Sequence, residues 1–584
     1  MIANNYFSDD KDLQLIYNQL IDWKSIVKEA EGEGFIDHQI YSETQNNRYE
    51  MAPSNFEEAM ELYTSSLDAM GDFFGKDVSQ KSQIMDRNEL KYENGKVIFP
   101  KETVEIYEKF RNTGLLGYSL PREAGGLNFP ATVGAFYAMI MARADVAFCM
   151  TTTLLNLAQI VSRFGTKEQI ETYATKAATG DCLFAMSLTE PDFGSDLNSV
   201  RTVAIKQEDG SYRLTGTKRF ISQGCGLGDY PALLLTLART GKPDGGARGL
   251  SVFLVKSSDI TVAGIEKKMG LHGSPTCEIV YENSYGEILG EEGLGLTRYT
   301  AGMTNFMRLV SASGGCGGGA AAYFESLKYA NERNQFGKPI FEIPAVFEMV
   351  HKIKRETNAM RLLTLETARV IDMYQHHQIR LEKQGLPDRD IRKDEKVKYW
   401  STLASILTPI AKYYSSEEGH KCTSIAVQVF GGAGYTEDYD ISRMFRDSRI
   451  NTIYEGTSQI HVRISTGAIL AGMAGDGNFR RYLNSLKTEI PNPSLYLLEQ
   501  EKLLESSIQC MRLIDSEARK ETVAENLMIQ MARYLCSLLY EQAVSKISDT
   551  VMKPIWEFDC QSYVVDSAAT AQASLYRIQH FGKG

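Results

Sequence analysis

The stretch QVFGGAGYTEDYDISRMFRDSRINTIYEGTSQIH, residues 428–461, decides how this chain is read. Gly431, Gly432 and Gly434 open it, giving a backbone that can turn tightly and approach a ligand closely. Arg443, Arg446 and Arg449 follow at helical spacing, with Asp438, Asp440 and Asp447 nearby to pair with them. Near the end one carboxylate, Glu455, stands between Tyr454 and Gly456. A carboxylate flanked by an aromatic ring and a glycine can be desolvated, which lifts its pKa toward the range useful to a general base. The plainer alternative is a solvated helix end after an ordinary Gly-rich turn.

The rest of the composition narrows the classes. A length of 584 residues gives a prior of about four domains. Apolar content of 43% and charged content of 23% are ordinary for a globular protein. A net charge of −11 argues against a nucleic acid held on a broad basic surface. Nine cysteines lie singly, with no CxxC pair, which fits a reduced, cytoplasmic protein. Eight histidines include no HExxH, so no metal site is expected. The N-terminal MIANNYFSDDKDLQ is too acidic and polar for a signal or transit peptide. The apolar run around 135–161 is interrupted by Arg143 and Asp145, so it reads as a buried core helix and not a membrane span. The C-terminal HFGKG carries no peroxisomal or endoplasmic-reticulum address.

Taken in order, residues 1–180 read as helical. Leu13, Ile16, Leu20 and Ile21 share a helical face, 31–55 is a polar loop or covering segment, and Thr166 and Gln169 have capping-box spacing. From 181 to 295 the period changes to two. Val203 and Ile205 alternate, Asp209-Gly210 turns the chain, and Tyr212 and Leu214 alternate back, a hairpin signal. Leu233–Leu235, Leu250–Val255 and Ile279–Tyr281 add short strands, which together suggest a small barrel or sandwich. Helical patterning returns over 296–472, where Val346, Met349, Val350 and Ile353 share a face. SASGGCGGGAAA (311–322) has no preceding strand and no GxGxxG, so its small residues read as close helix packing and not as a dinucleotide loop. IPNPS (490–494) reads as the linker into the added helical C-terminal part, assigned to 473–584.

Four further motifs stand apart from this patterning: MSLTEPDFGSDLNS (186–199), KRFISQG (218–224), TNFMRL (304–309) and NERNQFGKPI (331–340). Together with Glu455-Gly-Thr-Ser-Gln459 they resemble the signatures of the acyl-CoA dehydrogenase family over roughly residues 100–470. Twenty-five residues separate Arg308 from Arg333 and 27 separate Gln428 from Glu455, the intervals of the family's short-chain members. The longer N-terminus and the added C-terminal helices resemble the larger subgroup with very-long-chain and methylthiopropanoyl-CoA enzymes.

The resemblance implies an α+β fold: an N-terminal helical domain, a middle β-barrel, a four-helix bundle and an appended helical domain. It implies FAD as cofactor, held by Leu188, Thr189, Ser195, Phe220, Ile221 and Ser222. Arg333, Phe336, Gln428, Gly431, Gly432, Thr457 and Gln459 would add contacts, some of them to the flavin of a neighbouring subunit. Phe220 stands where many members carry Trp, offering a smaller face and no N–H donor. Ser195, Asn305, Arg308, Tyr454 and Gly456 would meet the acyl-CoA, and Glu455 would be the catalytic base. Some members move the base to the residue before Arg308; here that is Met307, which cannot accept a proton. His272 replaces a common Arg and reads as structural. The expected reaction is α,β-dehydrogenation of an acyl-CoA thioester to the trans-2-enoyl-CoA, as in fatty acid β-oxidation. Electrons would pass to an electron-transferring flavoprotein, and the added helices imply a homodimer. An acyl-CoA oxidase, or a non-catalytic nucleic-acid-binding or assembly relative, is the alternative. Acyl chain length and branching stay open.

Overall fold

The Asp209-Gly210 turn joins a hairpin of the β region, with Gly210 at φ 85° where a side chain would be strained. The computed structural model describes residues 1–242 and 245–582, so the last two residues of the HFGKG stretch lie outside it. Seven strands form between 183 and 288: β1 Leu183–Ser187, β2 Val203–Lys206, β3 Tyr212–Ser222, β4 Ala232–Arg239, β5 Leu250–Lys256, β6 Thr261–Ile265 and β7 Thr276–Ile288. β2 and β3 pair antiparallel as the hairpin, β3 pairs with β7, and β7 with β5. β5 then pairs with β4, and β4 returns to β2 through Val203 and Arg239, closing a ring of five. Closure removes the open edges that a flat sheet would expose. β1 adds parallel to β4, and β6 adds to β7. β4 is buried along its whole length, which its sequence ALLLTLAR suits.

Residues 30–307, with 3–5, form one compact unit containing this barrel. The apolar run around 135–161 is not one helix. Ala131–Ala144 ends at Asp145, whose carboxylate accepts from Phe148 N–H at 2.8 Å and starts Val146–Thr153. An N-cap aspartate satisfies the new helix's free donors, so the chain breaks where the charge sits. The polar stretch after 31 is also more ordered than its composition suggests, with a helix at Ile36–Thr44 and a single turn at Asn47–Tyr49. The buried Arg122 anchors its start, pairing with Glu31 at 2.7 Å and Asp37 at 2.9 Å. Thr166 and Gln169 form the capping box that their spacing announces.

The second unit comprises residues 1–2, 6–29 and 308–584. Its main helices begin with α1 Ala301–Glu332 (from residue 308), α2 Pro344–Lys383, α3 Glu395–Phe430, α4 Ile441–Ser448 and α5 Ser458–Gly472. Beyond them come α6 Asn478–Thr488, α7 Leu495–Arg512, α8 Glu517–Lys546 and α9 Met552–Gly582, with IPNPS between α6 and α7. The 311–322 stretch lies inside α1 and packs as its small residues suggest. A Cβ on Gly419 of α3 would lie 2.6 Å from the Gly315 carbonyl of α1, and one on Gly319 only 2.6 Å from Thr357 Oγ1 of α2. The segment Tyr6–Glu29 belongs to this unit and not with the rest of 1–180. Buried ionic contacts hold it there. Asp10 pairs with Arg361, and the Trp556 indole donates to Asp12 at 2.8 Å. Lys354 bridges onward to Asp559 at 2.8 Å. Among the described residues no helix is long and apolar enough to cross a membrane.

Candidate functional site

The 428–461 stretch builds a sharp return at the end of α3. Helix α3 stops at Gly431, whose φ of 60° and ψ of −137° are open to glycine. A Cβ on Gly431 or Gly432 would meet nothing within 4 Å, so both backbones stand open to a ligand. Helix α4 then holds Arg443 against Asp440 at 3.6 Å and Asp447 at 3.2 Å, all buried or nearly so. Thus the Arg–Asp pattern braces the return. Ile453 and Tyr454 N–H both donate to the Ile450 carbonyl, at 2.8 and 3.0 Å, and close the last turn.

Glu455 follows with φ 56°, a left-handed conformation unusual for a side chain of this length, and Gly456 continues at φ 93°. Glu455 is half-buried. Burial pushes its carboxyl up from the ordinary carboxylate range to about 7, against the opposing pull of the Arg308 and Lys412 cations. A carboxyl titrating near neutrality can take a proton from a weak carbon acid and still be ionised when it meets it. The plain reading of a solvated helix end does not describe this residue.

Two residues that the motifs did not single out hold the turn from behind. Lys412 of α3 is fully buried, and its ammonium donates to the Gly456 carbonyl at 2.8 Å. Burial lowers its pKa to about 8 despite the attraction of Glu455 and Glu417. His461 of α5, also fully buried, lies 3.1 Å from the Glu455 carbonyl through Nε2. Burial, then Lys412 and Arg308, push its pKa down to about 3, so the ring is neutral. The available signal was a lysine inside the apolar run ILTPIAKYY, where no water is at hand to solvate it.

The other motif residues divide between the two units. In the barrel unit, Leu188 is buried, Thr189 half-buried and Ser195 exposed. The loop bearing them is pinned by a buried pair that the motifs contain but the sequence reading left without a role. Lys218 donates to Leu188 O at 2.8 Å and to Glu190 at 3.0 Å, while Glu190 also accepts from Arg201 and Thr202 N–H at 2.7 and 2.8 Å. A register shift between Lys218 and Ile221 turns Phe220 outward, with φ 63° and over half its surface exposed, while Ile221 stays buried and Ser222 half-buried. Asn305 is exposed. His272 accepts no exposed role: it pairs with Asp86 at 3.1 Å and with the Lys268 carbonyl at 3.0 Å.

In the helical unit, Arg308 sits close enough to Glu455 to bear on its charge. Tyr454, Gly456 and Thr457 are half-buried, and Gln428, Arg333 and Gln459 are exposed. Phe336 is held at φ 54° in a small hairpin with 91% of its surface exposed. A large aromatic ring kept open at a strained backbone position is a candidate contact for a partner.

Family models match most of the chain in sequence order: "Acyl-CoA dehydrogenase, N-terminal domain" over residues 67–181, the middle domain over 185–284 and the C-terminal domain over 293–470. The 3-methylmercaptopropionyl-CoA dehydrogenase of Ruegeria pomeroyi is 32% identical over 420 residues, 68% of each chain. The chain belongs to the acyl-CoA dehydrogenase family. Subunit CarC of the caffeyl-CoA reductase–Etf complex of Acetobacterium woodii is 31% identical, covering 70% of this chain and all of that one. The solved acyl-CoA dehydrogenase of Bacillus anthracis, a complex with FAD, superposes with a TM-score of 0.74 over 89% of this chain and 88% of its own, at 23% identity. That coverage reaches well past the family's matched core, so the fold shared with that structure extends into the added C-terminal helices.

Proposed function

We propose that the protein oxidises a saturated acyl-CoA to its trans-2-enoyl-CoA, with Glu455 removing the proton beside the thioester carbonyl. The observation that carries this is the Glu455 carboxyl itself, half-buried on a left-handed turn, with burial pushing its pKa up to about 7. The Glu455 N–H would donate to the thioester oxygen, stabilising the negative charge that grows there as the proton leaves. Arg308 and Lys412 would keep the carboxylate ionised before that transfer and offset its charge in the dry site.

The residues present fit FAD. Phe220 and Phe336 offer exposed aromatic faces, the Gly431–Gly432 backbone is open, and the 188–190 loop is rigidly pinned. Leu188, Thr189, Ser195, Phe220, Ile221 and Ser222 would hold the cofactor. Arg333, Phe336, Gln428, Gly431, Gly432, Thr457 and Gln459 would supply further contacts, some to the cofactor of a second copy. The Arg333 guanidinium suits a diphosphate because its planar fork makes paired charge-assisted bonds. FAD, when bound, supplies the acceptor for the hydride that leaves the next carbon. Ser195, Asn305, Arg308, Tyr454 and Gly456 would contact the acyl-CoA. The named Etf complex of the Acetobacterium relative supports an electron-transferring flavoprotein as the redox partner, which here would accept the electrons. The added C-terminal helices would make a homodimer the working form.

The test is Glu455→Gln. The variant should keep FAD, accept electrons from dithionite, and fail to bleach with any of butyryl-, octanoyl-, isobutyryl- and 3-phenylpropionyl-CoA. Wild-type protein should bleach with at least one of them. Bleaching of the variant at the wild-type rate would remove Glu455 from the reaction.

A further inference from the structure

We propose that Lys412 and His461 are positioning residues that together lock the Glu455 turn, one hydrogen bond on each of two successive carbonyls. This rests on the reading of Glu455 as the base.

The backbone sets the problem. Glu455 at φ 56° and Gly456 at φ 93° are two left-handed residues in a row. A non-glycine residue is strained in that region, and such a turn persists only when its surroundings over-determine it. Each carbonyl of the pair has its own side-chain donor. Lys412 Nζ reaches the Gly456 oxygen at 2.8 Å, and His461 Nε2 reaches the Glu455 oxygen at 3.1 Å. Because both acceptors are carbonyls, Nε2 must carry the ring proton. Nδ1 of the neutral ring is then left buried with no hydrogen-bond partner among the described residues. The ring also presses on the turn: a Cβ on Gly456 would come within 3.1 Å of Nε2.

The two donors come from different helices, Lys412 from α3 and His461 from α5, so the turn is gripped between them. Neither is cheap to keep. A wholly buried ammonium and a buried ring with a bare nitrogen both cost stability that apolar residues of similar size would not. What they offer in exchange is a fixed direction for the carboxyl and for the Glu455 N–H. Lys412 adds a charge. The groups facing the carboxylate are Arg308 and Lys412; those facing Lys412 are Glu455, Glu417 and Arg308; those facing His461 are Lys412 and Arg308. Removing Lys412 takes away one of the two cations that favour ionised Glu455, so its titration must move upward.

The experiment follows bleaching of the FAD-loaded enzyme in stopped flow, with the panel acyl-CoA that bleaches wild type fastest, across pH 5.5–9. Lys412→Met should keep FAD and bind substrate comparably. Its bleaching rate should fall about 100-fold, the scale of a misplaced reacting group. The pH midpoint of the rate should rise above the wild-type value, and Lys412→Arg should recover both rate and midpoint. His461→Leu should lose rate with little change of midpoint, and His461→Gln, which keeps an N–H donor, should recover it. If Lys412→Met fails to hold FAD, the histidine pair decides. Wild-type rate and midpoint in Lys412→Met, or equal rates in the two histidine variants, overturn the lock. Glu455→Gln reports separately: if it is inert while the lock variants are normal, only this inference falls.

Discussion

Helix α3 contributes to two charge clusters through Lys412 and Glu418, less than two turns apart, and the two carboxylates concerned behave in opposite ways. At Glu418 burial works against the carboxylate, yet Arg533 and Lys421 win and its pKa is lowered. At Glu455 burial wins, and Arg308 and Lys412 only moderate a rise to about 7. The difference lies in direct contact. Glu418 bonds Lys421 at 2.8 Å and lies 3.8 Å from Arg533. Arg533 also bonds Glu356 at 3.1 Å and faces the Tyr414 and Tyr563 rings at 5.8 and 5.4 Å. Glu455 has no ion pair among the described residues; its cations act from further away, and Lys412 spends its hydrogen bond on a carbonyl instead. Closed contacts make a structural joint between α8, α9 and the bundle. Contacts held back leave a carboxyl poised to change charge.

The comparison breaks hardest at Arg533. Arg533→Met should leave Glu356 without its guanidinium and Glu418 with Lys421 as its close cation, and cost about 3–5 kcal/mol. Thermal or urea unfolding should show the loss, together with earlier proteolysis of α8 and α9. In the protein that remains folded, the pH midpoint of substrate bleaching should not move. An unchanged unfolding midpoint would mean that the joint is dispensable.

Gly419 tests whether α3 sets the spacing of both clusters. A Cβ there would lie 2.6 Å from the Gly315 carbonyl, so Gly419→Ala must push α1 and α3 apart. Overpacking of this kind costs roughly 1–3 kcal/mol. Arg308 lies on α1 and Lys412 on α3, so the bleaching rate should fall along with the stability. Loss of stability with an intact rate would show that the Glu455 turn is insulated from helix packing.

How much of this was written in the chain depends on distance. The hairpin at Asp209-Gly210, the capping box at Thr166 and the helix-packing glycines of α1 are local patterns, and each forms as its spacing implies. Glu455 stood out by its neighbours, Tyr454 and Gly456. Its titration, though, is set by burial, with Arg308 and Lys412 as the opposing charges, and no local window contains both. Likewise Tyr6–Glu29 joins the helical unit through Asp10 and Arg361, 351 residues apart, which periodicity cannot see. Phe220 is singled out by the resemblance alone; the register shift that turns it outward is a property of the pairing with β7, not of KRFISQG.

The finest test weighs the cost of keeping Glu455 poised. Its folded pKa, about 7, lies above the ordinary value of 4.5, so the folded chain binds a proton that the unfolded chain releases between those limits. The group's contribution is therefore complete below about pH 4.5 and lost as pH rises through about 7. Glutamine resembles the protonated side chain at every pH. Glu455→Gln should thus match wild type in melting temperature at pH 5 and exceed it at pH 8, by a few degrees at most in a chain of this size. The same substitution at Glu418, whose pKa is lowered, should do the reverse and destabilise most at pH 8. Should both variants melt lower at pH 8, Glu455 would be a paired structural carboxylate like its neighbour, and the contrast between the two clusters would vanish.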